Sequence, residues 1–443
     1  MTGQDWWIRN GRVIDPANAF DAVTDVIVRD GVVAHLGSVE QPPDAQVFDA
    51  SGMVVSPGWI DIHVHLREPG FEVKETIATG TAAAAAGGFT TICCMPNTQP
   101  ALDTVEALED VQRRIDRDAR VRVFPIAAIT SGRVGKTAVE FAALAQAGAV
   151  GFSDDGDTTA NSSIMREALE RSRELDRPVM VHCEDKALAH GAMNEGAVSH
   201  RLGVPGIPAA AEEIIIARDV MLAELTGGWL HVCHVSTGRG AEMIRAAKAR
   251  GVRVTAEVMP HHLVMSDDWV GGDRTLLNVT EPAGRSGVAG DPNTKVNPPL
   301  RSALDTRELL AALKQGVFDV FGTDHAPHAE PEKRGVDYQR AAFGLSGLEF
   351  ALPLTLALVR ADHLSLADLI RRWTVEPARL LRQEVGRLSI GAPADINVFN
   401  PEENWVVDPD ALCTKSANTP LIGMTLRGRT KLTLVGGKER YRG

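Results

Sequence analysis

The chain has 443 residues, 44% of them hydrophobic and 23% charged, which allows one large domain with an appendage or two to three average domains. Its formal net charge is −12, and its pI is about 5.6. This acidic balance argues against nucleic acid and anionic membrane surfaces as partners, because both require basic patches. A small anionic substrate is not excluded, since a single arginine in a pocket is enough to bind it.

The cysteines show no pattern typical of disulfides or of thiolate zinc sites. The five residues lie mostly in apolar runs, and none forms a CxxC pair. No signal peptide is visible, and no uncharged apolar stretch is as long as a membrane span. We therefore expect a reduced, cytoplasmic protein without membrane contact.

The two ends of the chain have the pattern of β-hairpins. Residues 1–56 contain short alternating segments such as WWIRNGRVID and DVIVRDGVVAHLG, separated by turn residues. Residues 386–443 behave in the same way, for example in TLRGRTKLTLVGG. Because the termini of a domain often lie close together, we expect both ends to form one small β-sandwich domain.

Residues 57–385 alternate short apolar strands with helical patterns, which indicates a parallel sheet wrapped by helices. Eight β/α units predict an α/β fold, the (β/α)8 TIM barrel. A long Gly-rich interval, residues 266–294, is predicted to be an extended loop or insertion before the eighth strand. The predicted strands are 58–65, 88–95, 121–128, 149–154, 178–183, 229–235, 252–257 and 317–323.

Polar side chains end several of these strands, at the face where barrel enzymes carry their active sites. Histidine nitrogens and carboxylate oxygens are ligands for borderline divalent metals, most plausibly zinc. The sequence therefore predicts a zinc centre at the barrel mouth. The candidates in chain order are His63, His65, Asp154, Asp155, His182, His231, His234, Asp324, His325 and His328.

The spacing of these residues selects among them. Alternate residues of a strand share a face, so His63 and His65 point the same way and can bind one ion. His231 and His234 have opposite parity; we favour His234, which is nearer the strand end, and expect His231 to pack against a helix. The two adjacent aspartates of GFSDDG also have opposite parity, and parity alone does not choose between them.

Five motifs occur in order along the chain: DIHVHLREPG, MPNTQP, GFSDDG, KVNPPLR and GTDHAPH. HxH alone is a weak signal, but the ordered set resembles the bacterial class I dihydroorotases of the amidohydrolase superfamily over nearly the whole chain. The resemblance implies a zinc-dependent cyclic amidohydrolase. Such an enzyme interconverts N-carbamoyl-L-aspartate and (S)-dihydroorotate in de novo pyrimidine biosynthesis.

The same resemblance implies two zinc ions per chain, held in pairs by the histidines and bridged by a carboxylate. Many relatives use a carboxylated lysine as the bridge, but no lysine lies between residues 149 and 160. The family spacing assigns the bridge to Asp155, and it makes Asp324 the catalytic acid–base group near the first ion. The implied ligands are His63, His65, Asp155, His182, His234 and Asp324.

The resemblance also implies contacts to a substrate that carries a carboxylate. Arg67 would bind this carboxylate as a bidentate fork, and backbone groups near Gly344 would contact the ring amides. Without the resemblance, the two asparagines of this set would be turn residues beside proline. The implied contacts are His65, Arg67, Asn97, Asn297, His328, Phe343 and Gly344.

Two alternative functions remain open. An allantoinase or hydantoinase opens other cyclic amides, but the missing lysine and the presence of Arg67 argue against it. A catalytically inactive barrel that serves as a structural partner of aspartate carbamoyltransferase would be expected to lose metal ligands, which are all present here. An active enzyme that forms a homodimer or binds the transcarbamoylase is compatible with the sequence.

Overall fold

The computed structural model describes residues 4–40, 44–280 and 286–443. Residues 281–285 of the predicted insertion, and residues 1–3 and 41–43 of the predicted N-terminal β segment, lie outside this description. The strands are β1 (Trp6–Asp15), β2 (Phe20–Arg29), β3 (Val32–Leu36), β4 (Gln46–Asp49), β5 (Val54–Pro57), β6 (Trp59–Val64), β7 (Phe89–Cys94), β8 (Arg122–Pro125), β9 (Val179–Val181), β10 (Met193–Asn194), β11 (Gly206–Ile207), β12 (Leu230–Val232), β13 (Val254–Val258), β14 (Val320–Phe321), β15 (Ile396–Val406), β16 (Thr425–Val435) and β17 (Lys438–Arg442).

Helices alternate with the middle strands, and 3-10 turns are short. The α-helices are α1 (Ile77–Ala86), α2 (Val105–Asp118), α3 (Phe141–Gln146), α4 (Ser162–Leu175), α5 (Ala197–Leu202), α6 (Ala210–Thr226), α7 (Gly238–Ala249), α8 (Pro260–Val264), α9 (Ala303–Lys314), α10 (Glu330–Lys333), α11 (Ala351–Arg360), α12 (Leu366–Trp373) and α13 (Val375–Leu381). None of the helices in the described ranges is both long and apolar enough to cross a membrane.

The central strands form a closed parallel barrel. Strands β6, β7 and β8 pair in that order, as do β9, β12, β13 and β14. Phe152 joins the two groups through parallel bridges to Ala127 and Val179, and a bridge between Val64 and His325 closes the ring. The fourth predicted strand is therefore present as the short extended segment around Phe152.

The apolar strands are long runs because helices cover the outer face of the sheet and side chains fill its interior. Ile60, Met180 and Val320 belong to an interior cluster of fully or almost fully buried side chains. Trp59 and Phe89 belong instead to the large core that includes the surrounding helices. The buried apolar residues of the strands thus precede the polar strand ends, which lie together at the upper mouth.

Both chain ends contribute to one further sheet, with the strand order β17-β16-β15-β5-β1-β2-β3 and with β4 beside β1. β5 connects the two ends because it pairs with β1 on one side and with β15 on the other. The predicted fold class is confirmed: a TIM barrel with a small β-sandwich built from both ends. The exact limits, 1–56 with 386–443 and 57–385, stay predictions; the sheet strands span residues 6–57 and 396–442.

A buried aromatic cluster fastens this sheet to the base of the barrel. The Trp59 and Trp373 rings stack with centroids 5.5 Å apart and an angle of 6° between their planes. Phe89 meets Trp373 edge-on at 5.1 Å, and Phe399 of β15 meets Trp59 at 5.9 Å. These four rings come from β6, β7, α12 and β15, so the cluster joins the barrel to the terminal sheet.

The described part of the 266–294 segment is held by its own contacts. The Arg274 guanidinium lies 5.1 Å from the Trp269 ring centroid, donates to the Trp269 carbonyl and pairs with Asp291. The Trp269 indole donates to the Thr275 carbonyl at 2.8 Å. The predicted extended loop is thus a connection folded around one tryptophan.

Replacing Trp373 by alanine tests the aromatic cluster. We expect the free energy of unfolding to fall by about 3–5 kcal/mol, because the variant leaves a cavity beside the buried rings of Trp59 and Phe89. Val23 is 73% exposed, and Val23→Ala is a control expected to change stability by less than about 0.5 kcal/mol. Denaturant titrations followed by circular dichroism measure both, and equal midpoints for the two variants would contradict the assignment.

Candidate metal centre

The polar strand ends converge on one cavity of about 290 Å³ at the barrel mouth. Ligand pockets usually measure about 300–1,000 Å³, so this cavity suits a small molecule. All but one of the predicted site residues line it; His63 lies just beneath, fully buried. The lining includes His65, Arg67, Asn97, Asp155, His182, His234, Asn297, Asp324, His328, Phe343 and Gly344.

The Asp155 carboxylate lies at the centre of four imidazoles. Its Oδ1 is 3.4 Å from Nε2 of His63, 3.4 Å from Nε2 of His234 and 3.8 Å from Nδ1 of His182. Its Oδ2 is 3.4 Å from Nε2 of His65. One oxygen thus faces three histidines and the other faces the fourth, an arrangement suited to a bridging ligand.

Asp324 adds a second carboxylate on the side of strand β6. Its Oδ1 lies 3.1 Å from Nε2 of His65 and 3.6 Å from Nε2 of His63. Asp324 has a φ of 46°, in the left-handed region that residues with a side chain rarely adopt. Backbone strain of this kind concentrates at functional sites, where the surrounding structure enforces it.

Two atoms of this cluster fit metal ligands because they are otherwise unsatisfied. His63 Nε2 and Asp155 Oδ1 are fully buried, and neither makes a hydrogen bond within the described part of the chain. Buried polar atoms without partners are costly, so this pair of atoms suits the binding of a cation. The donor atoms of His63, Asp155 and His234 all lie within 4.8 Å of one another, as do those of His63, His65 and Asp324.

The electrostatics of the cluster favour a protonated His63 beside an ionised Asp155. Burial opposes protonation of His63, but the charges of Asp155 and Glu257 outweigh burial and raise the His63 pKa well above its usual value. Burial likewise opposes ionisation of Asp155, but the neighbouring histidines lower its pKa well below the usual range. The pocket therefore holds an ionised carboxylate that attracts positive charge.

Glu257 supports this centre from below and was missed by the sequence analysis. Its Oε1 lies 2.6 Å from Nδ1 of His63, and both side chains are fully buried. The same oxygen accepts the backbone N–H of His234 at 3.2 Å. A carboxylate on Nδ1 turns the Nε2 lone pair of His63 toward the mouth. The available signal was an acidic residue inside the apolar strand VTAEV.

Asp61 is a second buried carboxylate that sequence patterns did not reveal. It accepts the Thr323 hydroxyl at 2.5 Å and the His63 backbone N–H at 3.0 Å. Burial raises the pKa of Asp61 to about 7. This contact fastens the first barrel strand to the segment that leads into Asp324.

His231 does not share the mouth with His234, as parity indicated, but the expected packing against a helix is wrong. His231 points into the barrel interior, where Nδ1 lies 2.9 Å from the Thr255 hydroxyl and Nε2 lies 3.4 Å from Glu257. His231 lies on the inward face of strand β12, where Thr255 and Glu257 of the neighbouring strand β13 provide its polar partners. His234 adopts a φ of 32°, which brings its ring to Asp155 instead.

The two aspartates that parity left open have different surroundings. Asp154 accepts the backbone N–H groups of Ile129 and Thr130 at 3.0 Å, together with the hydroxyls of Thr130 and Thr159. Its four hydrogen bonds are thus directed away from the histidines. Asp155 alone presents its carboxylate to them.

The remaining predicted residues surround the cavity. Nε of Arg67 donates to the Pro327 carbonyl at 3.1 Å, which leaves the terminal nitrogens beside His328. Asn97 Oδ1 lies 2.9 Å from Nδ1 of His65, and Asn297 Nδ2 lies 3.4 Å from Nε2 of His182. Both asparagines therefore orient a histidine in addition to lining the cavity.

Phe343 and Gly344 form the opposite wall. The Phe343 carbonyl accepts Nε2 of His328 at 2.7 Å. Gly344 has a φ of 137°, and a Cβ added there would lie 2.7 Å from the Ala326 carbonyl oxygen. Only glycine fits this close approach between the wall and the segment after β14.

The fold and this mouth define the class of protein. Over 98% of the chain and 96% of the other, the structure matches an L-hydantoinase (dihydropyrimidinase) from Arthrobacter aurescens, with a TM-score of 0.83 and 25% identity. A dihydropyrimidinase from Brevibacillus agri NCHU1002 shares the fold, with a TM-score of 0.83 at 24% identity and coverage of 99% and 95%. The chain is an amidohydrolase of this architecture, with histidine and carboxylate donors at its mouth that could hold a metal ion.

Sequence comparison narrows the class. Residues 52–239 match the family model described as dihydro-orotase-like. The chain is 46% identical over 439 residues to a dihydroorotase of Syntrophus aciditrophicus strain SB, covering 98% of each chain. It is 42% identical over 435 residues to a dihydroorotase of Aquifex aeolicus strain VF5, covering 98% and 99%. The chain belongs to the dihydroorotase family, as predicted, and is a cyclic amide hydrolase.

The neighbouring aspartates give a matched pair of variants. Asp154→Asn replaces an acceptor oxygen by an NH2 group that faces buried donors. The free energy of unfolding of the metal-free protein should therefore fall by about 2–4 kcal/mol, whereas metal binding should be retained. Asp155→Asn should lower the metal content with little loss of metal-free stability. Denaturant titration after chelation, and elemental analysis after reloading with zinc, measure the two effects. Equal metal loss in both variants would contradict the assignment of a structural role to Asp154 and a metal-binding role to Asp155.

Proposed function

We propose that this chain interconverts (S)-dihydroorotate and N-carbamoyl-L-aspartate, using two zinc ions bridged by Asp155. The observation that carries the proposal is the Asp155 carboxylate, 3.4–3.8 Å from four imidazoles in a cavity that also presents a buried arginine. In this scheme His63 and His65 hold one ion, and His182 and His234 hold the other. A catalytically inactive barrel is not favoured, because all the expected metal ligands are present.

The chemistry of the donors suits zinc, which prefers imidazole nitrogen and carboxylate oxygen in low coordination number. When bound, zinc would activate water as a nucleophile and polarise the amide carbonyl. The protein supplies the shaped cavity and the orientation of the ligands. Glu257 and Asn97 fix the rings of His63 and His65 through their Nδ1 atoms.

Asp324 is proposed to move the proton of the reaction. Its carboxylate lines the cavity beside His65, where it can accept a proton from the attacking water. It then delivers that proton to the departing ring nitrogen. Delivery is required because an amide anion is a very poor leaving group. In the reverse direction the same carboxylate takes the proton from the nitrogen that closes the ring.

Arg67 is proposed to select a substrate with a carboxylate. Burial lowers the Arg67 pKa to about 10, so the guanidinium remains charged at neutral pH. With Nε held by Pro327, the terminal nitrogens are available for a bidentate contact. Hydantoins and allantoin lack a ring carboxylate, so a charged arginine at this place favours dihydroorotate over those substrates.

The location and the assembly of the protein are predicted from the sequence alone. The predictions are a cytoplasmic location and assembly as a homodimer or as a complex with aspartate carbamoyltransferase. Neither is needed for the chemistry proposed for the cavity.

The decisive experiment is dihydroorotate hydrolysis by the purified protein, with zinc content measured on the same sample. The wild type should be active with about two zinc ions per chain, and removal of zinc by a chelator should abolish activity until zinc is restored. Activity at zero metal, or full metal without turnover of dihydroorotate, would overturn the proposal.

Asp324→Asn should lower kcat by about 10²–10⁴-fold, because the variant cannot carry the proton. Most of the zinc should remain, since the four histidines and Asp155 are intact and asparagine keeps an oxygen in place of one carboxylate oxygen of Asp324. Asp410, which is exposed, provides the matched control Asp410→Asn with unchanged kcat. Near-wild-type turnover by Asp324→Asn at full zinc content would show that another group transfers the proton.

Arg67→Gln tests the choice of substrate. Loss of a bidentate contact worth about 3 kcal/mol should reduce kcat/KM for dihydroorotate about a hundredfold. Any turnover of dihydrouracil, the same ring without the carboxylate, should change little. A wild type that prefers dihydrouracil or hydantoin, or a variant that loses both substrates equally, would favour the hydantoinase alternative.

A further inference from the structure

The segment between β15 and β16 leaves the terminal sheet and reaches the barrel mouth. Its two ends meet at the sheet, where the Val407 N–H donates to the Met424 carbonyl at 2.9 Å. Between them, residues 408–423 form an excursion, named here the C-terminal strap, that carries Asn418. Asn418 is 4% exposed and does not line the substrate cavity.

The Asn418 carboxamide joins two loops of the active site. Its Nδ2 donates to the carbonyls of Ala326 at 3.2 Å and Gly344 at 3.1 Å. Its Oδ1 accepts the backbone N–H of His328 at 3.0 Å and the hydroxyl of Ser346 at 3.1 Å. One loop follows β14 and Asp324, and the other forms the wall around Phe343.

An asparagine side chain suits this position because it can donate to two carbonyls and accept from the facing donors at the same time. A carboxamide offers two donors and two acceptor positions, and each meets a partner here, although the Ser346 hydroxyl is shared with the Ser416 carbonyl at 2.5 Å. Reversing the amide would place its NH2 against the His328 N–H and its oxygen against two carbonyls, so the orientation is fixed. An aspartate of the same size would set a negative charge beside the carbonyl oxygens of Ala326 and Gly344, leaving them without a donor.

The two backbone bonds on the first loop flank Pro327. The carbonyl of Pro327 is the acceptor that holds Nε of Arg67 at 3.1 Å. On the second loop, the Phe343 carbonyl that holds His328 Nε2 is adjacent to Gly344. A shift of either loop would therefore displace the guanidinium or the imidazole that faces the cavity. A misplacement of about 1 Å can cost a hundredfold in rate.

We propose that Asn418 is a positioning residue for substrate recognition. From outside the cavity it fixes the two loops that orient Arg67 and His328. This inference rests on the proposed function, in which those two side chains contact the substrate. Asn418 touches none of the proposed zinc ligands, so its loss should act on substrate binding rather than on metal binding.

The test compares Asn418→Asp with wild type in the zinc-loaded enzyme, measuring zinc content, thermal stability, and KM and kcat for dihydroorotate. The matched control is Asn397→Asp, which also buries a carboxylate in place of a fully buried carboxamide but lies in β15. We expect Asn418→Asp to raise KM at least about tenfold, with zinc content unchanged and kcat within about threefold. Asn397→Asp should leave KM unchanged even if it lowers stability.

Three results would overturn the inference: an unchanged KM in Asn418→Asp, a fall in kcat without a rise in KM, or a KM that rises equally in both variants. Ser346→Ala removes one of the four bonds and should raise KM by a smaller factor than Asn418→Asp. Wild-type protein that does not turn over dihydroorotate would refute the proposed function itself. An active wild type with an insensitive Asn418 would refute only this inference.

Discussion

The barrel mouth is organised around one buried negative charge. Asp155 is 2% exposed, so its ionised form is stable only if positive charge lies against it. The four imidazoles that face it can provide this charge as protons or as ligands of a metal, and both solutions require the same ring positions. The strands that carry these histidines must therefore end where the imidazole rings reach this carboxylate.

The backbone conformations around Asp155 follow from the need to bring the imidazoles to its carboxylate. Arg67, His234 and Asp324 all have positive φ angles, which turn the chain sharply at the ends of three strands. Asp61 and Glu257 support these strand ends from below. Asp61 accepts the His63 backbone N–H and the Thr323 hydroxyl, whereas Glu257 accepts the His234 backbone N–H and contacts the His63 ring. The buried carboxylates below the mouth and the positive φ angles at its rim are thus two parts of one arrangement.

Sequence alone was sufficient for the class of fold, because the strands of a parallel barrel are apolar runs separated by helices and end in polar residues. It also selected the four histidines that meet at the mouth, because their parity and position follow from strand geometry, but it misplaced His231, whose partners are Thr255 and Glu257. Parity did not distinguish Asp154 from Asp155, since the choice depends on donors from Ile129, Thr130 and Thr159, some of which are far along the chain. Partners such as Glu257 and Asn418 were beyond reach, because their roles arise from contacts between distant segments.

The pairing of the chain ends has a consequence for how the protein matures. β5 receives its partner β15 only after residues 396–399 have been made, and Asn418 follows His328 by 90 residues. During synthesis on a ribosome, the barrel strands are therefore complete well before the rim is braced. A polypeptide that ended before residue 396 would contain all the histidines and both mouth carboxylates and yet lack both the partner of β5 and the Asn418 contacts.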